Sequence, residues 1–201
     1  LSTFSTFEME QILSMKERWA LPVLLYLFRR IEKSLHGQPA LLILDEAWIM
    51  LGHPVFQEKI REWFKVFRKS NCALILATQN ISDAVNSPIW DVILSETATK
   101  IFLANPKARE AANVYAKMGL NPHQIEMLAG ATPKREYYLT SEKGCRLFSF
   151  AMGPLALALA GASDRESVQL IKKLEQQYGD EWPSAWLQSK GVSLADYGDA
   201  A

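Results

Sequence analysis

Leu41-Leu42-Ile43-Leu44-Asp45-Glu46 runs four aliphatic residues straight into two acids. A strand apolar at every position has no face for water, so it folds as an inner strand of a covered parallel sheet. Parallel strands are joined by crossovers of a dozen residues or more, usually helices. The segments around this strand have that character.

Thr6 to Leu13 reads as a short helix, and Leu21 to Ser34 as a longer one. The longer segment places Val23, Leu24, Leu27, Phe28, Ile31 and Leu35 at helical spacing, with Pro22 near its start. Gly37 and Pro39 end it, and Ala40 to Leu44 is the strand. Pro54 occupies a first helical position, ahead of an apolar stripe of Phe56, Ile60, Trp63, Phe64 and Phe67. Cys72 to Thr78 is a second apolar strand, and Thr99 to Leu103 a third. An alanine-rich helix is predicted from Lys107 to Met118, and Asn121-Pro122 opens another through Leu128. Arg135 to Thr140 and Arg146 to Ala151 flank Ser141-Glu142-Lys143-Gly144 as a hairpin. Ser163-x-x-Glu166 reads as a capping box for a helix to Tyr178, and Trp182 and Trp186 sit in a last short helix. The 201 residues form one unit (1–201), with a core of about 38–162 and a helical segment of about 163–190.

With 22 basic and 22 acidic side chains, the chain presents no net field to draw in nucleic acid. Cys72 and Cys145 lie in apolar runs and are expected as buried free thiols. His36, His53 and His123 have no ligand spacing, which favours surface histidines over a metal site. Trp48, Met50, Met118 and Met127 read as packing residues. The longest uncharged stretch, Leu147 to Ser163, is short for a membrane span and is broken by Gly153-Pro154.

The chemistry concentrates at Asp45-Glu46. An aliphatic strand ending in two acids reads as the Walker B strand of a P-loop NTPase, its first acid facing the Mg²⁺ shell and its second the attacking water. The second strand ends in Thr78-Gln79, and ligands of open parallel sheets sit at the carboxyl ends of strands. There a glutamine hydrogen-bonds both the water and a γ-phosphate oxygen. Arg68-Lys69 closes the helix between the two strands. These residues read either as favourable charge on a helix C-terminus or as a cation offered to a neighbouring subunit's γ-phosphate. Arg135 and Arg146 are weaker candidates for that role. The alternation of elements predicts an α/β fold, a RecA-like P-loop NTPase core with a mainly parallel sheet, helices on both faces and an antiparallel hairpin at one edge. The phosphate-cradling G-x-x-x-x-G-K-[ST] is missing, since no Gly-Lys pair occurs in the chain. Together with the start at Leu1, this is expected of a piece of a longer protein.

The ordered string Leu42-Ile43-Leu44-Asp45-Glu46-Ala47-Trp48, Pro54-Val55-Phe56, Ile60-Arg61-Glu62-Trp63 and Arg68-Lys69-Ser70-Asn71 resembles the ATPases of type IV secretion systems. Ala77-Thr78-Gln79, Ile101 to Pro106 and Gly153-Pro154-Leu155-Ala156-Leu157 share that resemblance, and the TrbE/CagE family of conjugal transfer proteins is the nearest match. The resemblance implies a motor domain that energises pilus assembly and substrate transfer, forms hexamers, and works in the cytoplasm at the bacterial inner membrane beside other secretion components. It implies ATP and Mg²⁺ as cofactors, Asp45 and Glu46 in the Walker B roles, and Thr78 and Gln79 as the sensor pair. Without the phosphate loop, this stretch alone is expected to be inactive. Two other readings stay open: a DNA-translocating motor of the coupling-protein or HerA type, contacting nucleic acid directly, and an assembly module without catalysis.

Overall fold

The computed structural model describes residues 4–9, 12, 14–46 and 54–193. Glu17–Ser34 forms a long helix, α1, which starts before the predicted Leu21 and holds Pro22 inside it. The predicted helix over Thr6 to Leu13 does not form at Thr6 to Met9, which lie outside any helix; Ile12 is helical, and residues 10, 11 and 13 are outside the described set. So short a segment gains too few hydrogen bonds to offset helix nucleation. Met9 and Ile12 pack instead against the first core.

Strand β1, Ala40–Leu44, pairs in parallel with β2, Cys72–Leu76, with Ala40 opposite Cys72 and Leu44 opposite Leu76. Helix α2, Pro54–Val66, makes the crossover. The pleat sorts the strands into two faces. Ala40, Leu42, Leu44, Cys72, Leu74 and Leu76 join Leu24 and Phe28 of α1 and Phe56, Ile60 and Trp63 of α2 in one core. Trp63 stacks on Phe67 at 4.8 Å and meets Phe28 at 4.5 Å between ring centroids. On the other face Leu41, Ile43 and Ile75 are 59%, 58% and 46% exposed. Among the described residues, the cover of helices expected on both faces is present on one.

Helices α3 (Ile81–Val85) and α4 (Trp90–Glu96) follow, and Ile89 and Ile93 close the first core. Strand β3, Lys100–Leu103, then departs from expectation. It pairs antiparallel with β4 (Glu136–Ser141), which pairs antiparallel with β5 (Gly144–Ser149), and these three form a sheet separate from β1–β2. The sequence predicted a third parallel strand. Phe102 is buried while Ile101 and Leu103 are exposed, a one-sided pattern that antiparallel sheets tolerate, and the hairpin that follows supplies the antiparallel partner. Gly144 takes φ 124° after the two-residue Glu142-Lys143 turn, a conformation open to glycine.

A second core gathers Phe102, Ala108, Tyr115, Leu120, Ile125, Leu128 and Tyr138. Its helices are α5 (Ala112–Lys117) and α6 (Pro122–Gly130). The helix predicted from Lys107 begins only at Ala112, because tight turns such as Ala108 N–H to Asn105 O (2.9 Å) and Glu110 N–H to Lys107 O (3.0 Å) precede it. Asn121 and Gln124 cap α6 reciprocally. Helices α7 (Pro154–Ala160), α8 (Arg165–Tyr178) and α9 (Trp182–Ser189) end the described chain. Buried Trp186 donates its indole N–H to the Ala158 carbonyl at 2.9 Å, joining α9 to α7. The cap of α8 is Asp164, not the predicted Ser163; its carboxylate accepts the Ser167 N–H at 2.8 Å. An anion at a helix N-terminus also meets the positive end of the dipole. Cys72 is buried as expected, whereas Cys145 is exposed on β5. No described helix is long and apolar enough to cross a membrane.

Candidate functional site

The parallel register sets the site. Leu44 lies opposite Leu76, and the Ala77 N–H donates to the Leu44 carbonyl at 2.9 Å, so the ladder runs one step past the end of β2. Asp45 and Glu46 therefore leave the sheet beside Ala77, Thr78 and Gln79. This is the carboxyl edge, where the sequence placed its candidate chemistry.

Glu46 has φ 52°, a left-handed backbone uncommon for a side chain of its size. Its N–H donates to Asp45 Oδ1 at 3.0 Å, a local bond that accompanies the turn. The Gln79 amide nitrogen donates to Glu46 Oε1. The turn carrying Gln79 is fixed on both sides. Thr78 Oγ1 donates to the Asn80 carbonyl and accepts the Asn80 N–H, each at 3.2 Å. Asn80 Oδ1 accepts the Ser82 N–H at 3.0 Å and caps α3. Sequence reading singled out Thr78 and Gln79 but missed Asn80, although an Asn ahead of a helical stretch is a recognisable cap signal.

Asp45, Glu46, Thr78 and Gln79 are thus brought together. Arg68 and Lys69 are not: they follow α2 and precede β2, at the opposite end of the strand from Gln79. Arg135 and Arg146 belong to the second sheet. Trp48, Met50 and His53 lie outside the described residues. The linkage of the two strand starts was also missed. Asn71, at φ 56°, donates its side-chain amide to the Gly37 carbonyl at 3.2 Å, while its own carbonyl accepts the Ala40 N–H at 3.0 Å.

The donor set bears on which metal fits. Among the described residues no three His, Cys, Asp or Glu gather as a metal-holding group. Asp45 is exposed and offers hard carboxylate oxygen. Mg²⁺ characteristically takes one or two carboxylates, with phosphate oxygens and water completing its shell. The site suits an ion that arrives with a nucleotide, rather than one caged by protein.

Comparison with known proteins places the chain in a family. The model of the TraG P-loop domain matches residues 2–138. The conjugal transfer protein TrbE of Rhizobium radiobacter is 54% identical over 198 residues, covering 98% of this chain and 24% of that protein. A probable conjugal transfer protein TrbE of Sinorhizobium fredii is also 54% identical, over 95% of this chain and 29% of its own length. The type IV secretion system protein virB4 of Bartonella henselae is 26% identical over 92% of this chain and 24% of its own. The chain thus spans about a quarter of the length of the curated relatives it matches. VirB4 of Thermoanaerobacter pseudethanolicus shares the fold with a TM-score of 0.54 and 22% identity, over 66% of this chain and 36% of that one. The chain belongs to the TraG P-loop domain family, on the side of the TrbE conjugal transfer proteins of type IV secretion.

Proposed function

We propose that this chain carries the acid-and-sensor half of an ATP-hydrolysing site in a type IV secretion motor. The observation that carries the reading is the meeting of Glu46 with Gln79 at the carboxyl edge of a parallel pair, in a chain of a P-loop family. Asp45 would face the Mg²⁺ shell through water, as a single hard carboxylate suits. Mg²⁺ and ATP, when bound, supply the phosphoryl group and the charge that neutralises it. Glu46 holds and polarises the attacking water. Gln79 offers N–H and carbonyl groups to that water and to the phosphate, and Thr78 fixes the turn that presents it.

The phosphate cradle must come from sequence outside these 201 residues, which contain no Gly-Lys pair. The complete site then serves a hexameric machine at the cytoplasmic face of the inner membrane, working with other secretion components to drive pilus assembly and substrate transfer. In such a ring Arg68 or Lys69 would serve a neighbouring subunit, since within one chain they lie at the far end of β2.

The test compares two polypeptides, these residues alone and the same residues joined to a phosphate-binding loop. The first is expected to show no ATP turnover. The second is expected to hydrolyse ATP, and Glu46→Gln should lower its kcat by roughly 10²- to 10⁴-fold with nucleotide still bound. Normal turnover in that variant would overturn the assignment.

A further inference from the structure

A glutamate acting on water must present its carboxylate in one orientation. The terminal torsion of Glu is broad and nearly two-fold, so an unsupported carboxylate samples many rotations. At Glu46 two features oppose that freedom. The backbone stands at φ 52°, a conformation kept only where surrounding bonds hold it. The Gln79 amide grips one carboxylate oxygen, Oε1. Gln79 itself is presented from a turn bound on one side by Thr78 and on the other by the Asn80 cap. The backbone under Gln79 is thus held in place, and its amide reaches the Glu46 carboxylate from that turn.

We infer that Gln79 is a positioning residue for the Glu46 carboxylate, acting on hydrolysis through Glu46 in addition to any contact with phosphate. This rests on the proposed reading of Glu46 as the residue that polarises water. A glutamine amide has two N–H groups and one carbonyl. With one N–H on Glu46, the other N–H and the carbonyl are left for the phosphate and water, so one amide ties base orientation to occupancy of the phosphate site. A sensor that only counted phosphate would need no bond to Glu46.

The experiment is a double-mutant cycle in a polypeptide joining these residues to a phosphate-binding loop. Glu46→Asp keeps a carboxylate but draws it back from the amide, so it leaves measurable turnover. Gln79→Ala is expected to lower kcat roughly 100-fold, the scale of a misplaced catalytic group, while KM for ATP changes far less. In the Glu46→Asp background, Gln79→Ala should cause little further loss. Gln79→Glu places like charges together and should be at least as damaging as alanine. The thermal midpoint should change little in all three, because Gln79 is exposed and Glu46 lies outside the two hydrophobic cores. If the two losses multiply in the double variant, or Gln79→Ala raises KM with kcat intact, the positioning role is overturned. Turnover that survives Glu46→Gln would overturn the underlying assignment of Glu46 instead, so the two failures are told apart.

Discussion

One side chain decides how the first core is held from its rim. Glu32 of α1 accepts the indole N–H of Trp63 at 2.7 Å and the Lys59 ammonium at 2.6 Å, and Lys59 also reaches Glu62 at 2.8 Å. Burial raises the Glu32 pKa, but the bonds from Lys59 and Trp63 and the charges of Lys59 and Arg29 outweigh it, leaving it below the usual carboxylate value. Burial likewise lowers the Lys59 pKa, and its bonds to Glu32 and Glu62 leave it raised. The signs follow from linkage. Glu32 contributes stability that is present above an unfolded pKa of about 4.3 and lost as pH falls through its depressed folded value. Lys59 contributes stability that is present below about 10.4 and lost as pH rises through its raised value. Glu32→Ala should cost about 1–3 kcal/mol at pH 7 by leaving the Trp63 indole and Lys59 without this acceptor. It should also flatten the acid limb of a urea-unfolding pH profile, and an unchanged acid limb would show that the network contributes nothing. None of this was legible in the sequence, because Glu32 and Trp63 stand 31 positions apart and only the packing of α1 on α2 joins them. The placing of Asp45, Glu46 and Gln79 at one edge of the pair was legible, since each follows a strand whose apolar run is visible by itself.

Elements were readable where a pattern is local and misread where a choice is made between neighbours. The stripe of Phe56, Ile60 and Trp63 identified α2, and all three are buried. The pairing of β3 was misread because four residues of alternating burial suit either a parallel or an antiparallel partner, and the nearby hairpin supplied the latter. The cap of α8 was misplaced by one residue for a similar reason, since Ser163 and Asp164 both suit the position and backbone geometry decides. Asp164 has its pKa lowered by the bonds from Ser167, so its capping contribution is present at neutral pH and fades as acid protonates it. Asp164→Ala should therefore lower the thermal midpoint at pH 7, while Ser163→Ala should not. Equal effects of the two changes, measured by circular dichroism, would return the cap to Ser163.

For the whole molecule, the bare side of the β1–β2 pair matters most. Leu41, Ile43 and Ile75 form a water-facing apolar surface on strands whose sequence has no polar face. Expressed without further polypeptide, the described chain is expected to bind a hydrophobic dye and to self-associate as concentration rises. Leu41→Lys with Ile43→Lys should reduce both, with only a small change in thermal midpoint because neither side chain is in the core. Dye binding unaffected by these changes would place the sticky surface elsewhere, for instance on α1 at Trp19 and Tyr26, which are also exposed.

The two hydrophobic clusters, one around Trp63 and one around Phe102, have no residue in common; Ile81 of α3 packs on the second, and α3 also touches α4, whose Ile93 belongs to the first. Cooperativity of melting is carried by shared apolar contact, and among the described residues the five-residue helix α3 touches elements of both clusters. The chain is thus expected to loosen in halves. Amides of β4 and β5 would then lose protection from exchange at a different denaturant concentration from those of β1 and β2, with α3, which starts immediately after Asn80, lying between the two.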